Sequence, residues 1–307
     1  MLLAIILPTT FVYDIDDDTP DHYIVDVLAV VDKPMLDFWI KAPGAGSKEK
    51  VTEEIKSLFF EMNFMYQSLR RFNLHIEIRL TDIAFPNRSV VPEHEVTDNV
   101  VDSTVAGNAF SRYLRDQHHK YDHAMYITRY NLQGSGINTR GAARSKSACK
   151  TYATSRVEGH RDYNTVHIAA HELGHSLGAP HDDKQNPECK GSYIMASTVI
   201  TSGQPEFWYF SKCSADAMKK YIRSLGGNNC LQRSNSPPIV SKRMGELVDK
   251  HDMCKRLFGT KVSSKYATGD KLCKELRCST GTLTRSFATP EGLTCSKDRK
   301  CFMGRCV

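Results

Sequence analysis

A chain of 307 residues, 40% hydrophobic, with 41 Lys+Arg against 35 Asp+Glu and ten cysteines, has room for one domain of about 200 residues and a smaller one. No apolar run approaches the roughly 18 residues needed to cross a bilayer, which excludes a transmembrane helix. The cysteines are even in number, begin only at Cys149 and lack zinc-finger spacing, so disulfides made in an oxidising compartment are expected.

Residues 1–22 open on the apolar run Met1–Leu7, cut short by Pro8 and without a basic leader, and read as a leader or precursor remnant. Tyr23 to Asp32 (YIVDVLAVVD) predicts a buried strand. After the loop Ala42 to Ser47 comes a long amphipathic helix with Ser47 as its cap. Its Val51, Ile55, Leu58, Phe59, Met62, Tyr66 and Leu69 keep a helical period. Asn73 to Phe85 predicts a second strand, with Leu74, Ile76, Ile78 and Leu80 on one face. Asn87-Arg88-Ser89 is a glycosylation sequon on Asn87.

A helix from Ser103 to about Arg115 and a strand from Asp122 to Thr128 follow, and His118, His119 and His123 read as a loose surface cluster. The next helix should start near Asp162 or Asn164 and bury Val166, Ala170, Leu173 and Leu177. A last helix runs from about Ser214 to Leu225 and stops at Gly226-Gly227. Ser234-Asn235-Ser236-Pro237-Pro238 marks a linker over 234–250, ahead of a cysteine-rich segment, 251–307, too small to hold itself without staples. Strands alternating with helices over 23–233 predict an α/β fold.

The densest chemical signal is His171-Glu172-Leu173-Gly174-His175-Ser176-Leu177-Gly178-Ala179-Pro180-His181. His171 and His175 fall one helical turn apart on one face, where both can reach a Zn²⁺ at about 2.0–2.1 Å. Glu172, beside the first of them, can take a proton from a water on the metal. Gly178 lets the chain leave the helix sharply and return His181 as the third ligand. Three protein ligands leave a fourth position for water or substrate, as in a catalytic zinc. His167 also falls on a similar face, four residues before His171. By spacing alone it could be a ligand.

The long histidine motif, followed by a methionine turn at Tyr193-Ile194-Met195-Ala196, resembles the metzincin metalloproteases. Asp182, directly after the third histidine, is similar to the reprolysin (adamalysin) branch. The family pattern places the third ligand after the glycine, which leaves His167 to pack or hydrogen-bond near the helix start. The resemblance implies a two-lobed catalytic domain with the zinc helix in the cleft. Met195 would be the apolar floor under the zinc, and Asp182 would fix the local structure. Gly141, Ala142 and Ala143, in the stretch that also holds Cys149 to Ala153, would be the edge that pairs with an extended substrate. It also implies disulfides Cys149–Cys230 and Cys189–Cys213, and a structural Ca²⁺ on Asp26, Asp122 and the backbone of Cys230. The side-chain ligand expected next to Cys230 falls at Arg233, with Asn235 as its replacement.

Cys254, Cys273, Cys278, Cys295, Cys301 and Cys306, with Gly292-Leu293-Thr294 and Phe302-Met303-Gly304-Arg305, resemble the disintegrin-like, cysteine-rich module of the thrombospondin-motif branch. A short protease with one such module is similar to arthropod venom or salivary reprolysins.

From Lys242 to Val307 there are 15 Lys+Arg against 7 Asp+Glu, a surplus of +8 in a chain whose total is +6. Such a basic segment suits sulfated glycans or anionic surfaces, and for a secreted chain no nucleic-acid partner is expected. The expected activity is that of a secreted zinc metalloendopeptidase acting on extracellular proteins, with Glu172 as general base.

Overall fold

A computed structural model describes residues 22–41, 46–117, 120–134, 137–160, 162–184, 187–198, 203–234, 236–259, 261–263 and 266–307. The leader assigned to the N-terminus lies outside the described residues up to residue 21, as do His118, His119 and Asn235.

Strand β1 (His22–Val31) sends Val25, Val27, Ala29 and Val31 into one core and Leu28 and Val30 into another. A strand apolar on both faces needs a layer on each side. Helix α1 (Lys33–Lys41) follows at once, where the sequence reading assigned no element. Pro34 suits its first turn, and Met35, Leu36 and Trp39 are its buried stripe. Helix α2 (Lys48–Tyr66) is capped by Ser47, whose hydroxyl accepts the Lys50 N–H at 3.3 Å. It lies along β2 (His75–Ala84). Leu74, Ile76 and Ile78 are buried as expected, but Leu80 is only half-buried. The register between β1 and β2 slips there: Val27 faces Leu80 while Leu28 faces Asp82.

Strand β3 (Val100–Asp102) leads into α3 (Ser103–Arg115), whose first N–H groups are taken by the Asp102 carboxylate. Strands β4 (His123–Thr128), β5 (Asn131–Gly134), β6 (Ile137–Thr139), β7 (Gly141–Ala143) and β8 (Thr154–Glu158) come next. The main sheet has the order β2-β1-β4-β8-β7. Its first four strands are parallel, and β7 runs antiparallel to β8 at the edge. A small sheet, β3-β5-β6, flanks it. Helix α3 covers one face through Ala106, Ala109 and Phe110, while α2 and α4 (Tyr163–Ser176) cover the other. Helix α5 (Lys212–Ser224) starts two residues earlier than its sequence suggests, because Ser211 is the cap and accepts the Ser214 N–H at 3.0 Å.

The C-terminal part holds α6 (Met244–Leu247), α7 (Lys250–Phe258), α8 (Gly269–Lys274) and the short strands β9 (Leu276–Ser279), β10 (Thr284–Phe287), β11 (Thr294–Ser296), β12 (Arg299–Phe302) and β13 (Arg305–Cys306). Three disulfides staple it: Cys254–Cys278, Cys273–Cys301 and Cys295–Cys306. Its apolar residues join the main core without a break. Within 234–250, the second half is packed rather than open. Glu61, fully buried in α2, accepts hydrogen bonds from Arg243 Nη1 at 3.2 Å and the Met244 N–H at 3.3 Å. A buried carboxylate needs such partners, and this one draws the chain down onto α2.

The fold mixes parallel strands with helices and ends in a disulfide-rich segment, in line with the α/β expectation. His123 departs from its expected place on the surface. It is fully buried at the start of β4, with Nδ1 3.0 Å from Ser176 Oγ and Nε2 2.8 Å from Ser155 Oγ. Those hydroxyls substitute for water, and burial pushes the imidazole down to about 3. Unfolded, it titrates near its ordinary 6.5. Its contribution to stability is therefore full above about pH 6.5 and lost as the pH falls toward 3, at about 1.4 kcal/mol per pH unit. Denaturant unfolding from pH 7.5 to 4.5 should show this slope, and His123→Asn should flatten it by about one proton. An identical slope in the variant would mean that His123 is not buried neutral.

Candidate active site

Helix α4 begins where the Asp162 carboxylate accepts the Thr165 N–H at 3.1 Å, so of the two expected caps Asp162 is the one in use. It ends in a left-handed turn. Gly178 has φ +101°, its N–H reaches the His175 carbonyl at 3.0 Å, and the Ala179 N–H reaches the Gly174 carbonyl at 2.9 Å. A methyl group on Gly178 would also fall 2.4 Å from Tyr221 Cβ, so glycine is required there by conformation and by space.

This turn brings His181 back over the helix. His181 Nε2 lies 3.2 Å from His171 Nε2 and 3.1 Å from His175 Nε2. Nitrogens bound tetrahedrally to one zinc at about 2.05 Å would be roughly 3.3 Å apart, so the spacing fits a shared ion. The far nitrogens of two rings are fixed: His171 Nδ1 donates to the Ile194 carbonyl and His175 Nδ1 to the Ala179 carbonyl, both at 2.7 Å. Each bond leaves Nε2 with its lone pair toward the others. Burial drives His171 well below its ordinary range and His175 down to about 4, which keeps both in the neutral, ligating form. The donor set suits zinc: three imidazoles, half-buried, with room for a fourth ligand.

Glu172 is buried beside them. One of its oxygens has no hydrogen-bond partner, and burial pushes the carboxyl up to about 8 against the opposing pull of the Arg156 guanidinium. Strand β7 passes so close that a methyl on Gly141 would lie 2.6 Å from Glu172 Oε1. Between β7 and α4 runs a cleft of about 290 Å³ with Gly141, Ala143, His167, Glu172 and Ser197 along its walls. Gly141, Ala142 and Ala143 pair with Val157, Arg156 and Ser155, which leaves the other side of β7 at the sheet edge. The stretch Cys149–Ala153 is turn, outside that strand.

Met195 is fully buried beneath α4, and a methyl on Gly174 would meet its sulfur at 2.6 Å. Asp182, also fully buried, gives its N–H to the Met195 carbonyl at 2.9 Å. Its side chain accepts from the hydroxyls of Ser211 and Ser214. Disulfides join Cys149 to Cys230 and Cys189 to Cys213. Asp26 and Asp122 lie together, with Asp122 Oδ2 2.9 Å from the Asp26 nitrogen. Burial and the second carboxylate raise Asp122 to about 7, and the Ser234 hydroxyl donates to Asp26 at 2.5 Å. Arg233 takes no part in that group's hydrogen bonds, and Cys230 begins the adjoining 3₁₀ turn. Asn87 is exposed in the loop after β2.

Some participants left no trace in the sequence. The Ile194 and Ala179 carbonyls are backbone atoms, which no motif marks. His167 is marked by the sequence as a packing or hydrogen-bonding residue, with no sign of its place on the cleft wall. It is buried, stacks on Phe207 with ring centroids 4.4 Å apart, and lines the cleft apart from the nitrogen cluster.

Residues 21–211 match the model of metallo-peptidase family M12, and residues 244–307 match that of the ADAMTS cysteine-rich domain 2. The chain is 26% identical over 319 residues to "A disintegrin and metalloproteinase with thrombospondin motifs gon-1" of Caenorhabditis elegans, covering 94% of this chain and 14% of that protein. It is 30% identical over 208 residues to the thrombospondin-motif metalloproteinase 1 of Rattus norvegicus, covering 63% of this chain and 21% of that one. The chain thus spans less than a quarter of the length of these relatives. Among solved structures, the archaemetzincin of Methanopyrus kandleri aligns with a TM-score of 0.40 at 16% identity, covering 68% of this chain and 99% of the other. With the family match running through β1, the edge strand and the three-histidine turn, the chain belongs to metallo-peptidase family M12.

Proposed function

We propose that this chain is a secreted zinc-dependent endopeptidase that cleaves extracellular proteins. One observation carries the reading: His181 Nε2 lies 3.1–3.2 Å from the Nε2 atoms of His171 and His175, beside a buried carboxylate and at the edge of a sheet. His171, His175 and His181 would hold the metal. Zinc bound there would supply a Lewis acid for the water and the peptide carbonyl.

The chain's own residues do the rest. The free side of β7 pairs with an extended substrate backbone, and the small side chains of Gly141, Ala142 and Ala143 let it come close. Glu172 takes a proton from the attacking water and returns it to the leaving amine. Met195 packs under the histidines, while Asp182 ties the loop carrying His181 to α5. No helix among the described residues is long and apolar enough to cross a membrane. The disulfides and the exposed sequon at Asn87 support an extracellular setting.

Cleavage of fibrinogen or gelatin, with and without 1,10-phenanthroline, tests this. Glu172→Ala should keep its zinc and lose at least about 100-fold in rate. Gly141→Ala, which pushes on the Glu172 carboxylate, should lose on the order of 10- to 100-fold. Full activity in Glu172→Ala, or in the chelated enzyme, would end the assignment.

A structural calcium ion is supported by the Asp26–Asp122 pair, since a cation would relieve two carboxylates crowded together. Millimolar Ca²⁺ should raise the melting temperature, and Asp122→Asn should abolish the rise. An equal rise in that variant would argue against this site. The surplus of positive charge over 242–307 supports retention on sulfated glycans. Elution from a heparin column at no more salt than a deletion lacking 251–307 would remove that reading.

A further inference from the structure

The segment 207–210 packs behind His167, a residue of the cleft wall, on one side and against the C-terminal module on the other. Toward the cleft, Phe207 stacks on His167 at 4.4 Å between centroids. The Tyr209 carbonyl accepts the Ile194 N–H at 2.9 Å, and the Ile194 carbonyl in turn holds His171 Nδ1. Toward the module, Trp208 is buried with its ring against Gly304. A methyl there would fall 2.9 Å from Cη2 and 3.1 Å from Cζ3. The Tyr209 hydroxyl lies 3.7 Å from the Met303 sulfur.

The module side of this contact is itself fixed. The Met303 N–H donates to both oxygens of the buried Glu291, at 2.9 and 3.0 Å, and Gly304 has φ +77°. The Phe207 and Trp208 rings meet edge to face at 5.1 Å, so a shift of one displaces the other.

We propose that the Met303–Gly304 turn of the module is a positioning element of the cleft. Trp208, seated against Gly304, sets Phe207 and through it the ring of His167. The module thereby governs which substrate side chain is accepted beside His167, even in peptides too short to touch the module. This rests on the endopeptidase reading, and it differs from a module that only captures large substrates at a distance. Trp208 and Gly304 are positioning residues, since neither reaches the cleft.

The test uses the full chain and eight-residue peptides varied singly at the two residues flanking the scissile bond. Gly304→Ala and Trp208→Ala should change the ratios of kcat/KM among these peptides by about fivefold or more, mainly through KM, with zinc content unchanged. Trp208→Phe, which keeps a ring against Gly304, should restore the wild-type ratios to within about twofold. A merely structural role would lower all peptides together and leave the ratios alone, and that result overturns the proposal.

The imidazole NMR signals of His167, assigned with His167→Gln, report the same coupling without turnover. They should move in Gly304→Ala. Unmoved signals overturn the proposal even if the wild-type chain cleaves no peptide, an outcome that by itself would sink only the protease reading.

Discussion

Three imidazole nitrogens with their lone pairs pointed at one another make an arrangement that no folded chain adopts without support. It requires rings that stay uncharged and hydrogen bonds behind two of them that fix which nitrogen faces inward. The segment from α4 to the start of α5 is organised by this demand. The Ala179 carbonyl is in place because the chain turns left-handed at Gly178. The Ile194 carbonyl is in place because its own N–H is held by Tyr209. Asp182 anchors the loop of the third histidine between the methionine turn and the start of α5. Gly174 is a glycine because the Met195 sulfur occupies the space a side chain would need.

A second constraint comes from carboxylates placed where water does not reach. Glu61 and Glu291 are both almost completely buried, one on α2 and one in the module; the Glu61 carboxylate helps raise Glu291, and Glu246 helps raise Glu61. Burial is the larger cause, bringing Glu61 to about 7 and Glu291 to about 8. Arg243 sits against Glu61 and over the rings of Phe64 and Phe302, at 4.8 and 5.2 Å. Arg256 adds a second pair with Glu54 on α2 at 3.1 Å. Removing one partner of such a pair leaves a charge uncompensated, at a cost of about 3–5 kcal/mol. These contacts commit the module to one position on α2 more than they add to net stability.

What the sequence made legible follows from the range of the interactions involved. The histidine motif could be read because its spacing, its glycine and its helix are all local, and Ser47 and Asp162 could be read as caps for the same reason. Helix α1 carried readable signals in Pro34 and the Met35, Leu36, Trp39 stripe, which the strong strand before it obscured. His123 was misplaced because its burial depends on two hydroxyls, Ser155 and Ser176, that are distant in sequence. Arg243 could not be foreseen as a packed residue, since its partner Glu61 lies 182 positions away. Leu80 is only half-buried beside a bulge at Thr81 of its own strand, where Val27 faces Leu80 and Leu28 faces Asp82, and nothing in the alternation of β2 announces that extra residue.

The two bridges of the catalytic part are nested: Cys189–Cys213 lies inside the loop closed by Cys149–Cys230, and the whole histidine motif lies inside that outer loop. Closing a loop of 81 residues restricts the unfolded chain by about 4–5 kcal/mol in a simple entropic account. There is also a topological effect. A single backbone cut between Cys149 and Cys230 leaves both pieces on one molecule, and a cut between Cys189 and Cys213 is spanned twice. If the chain cuts its own kind within this segment, the damage keeps its full mass and surfaces only when the bridges are reduced.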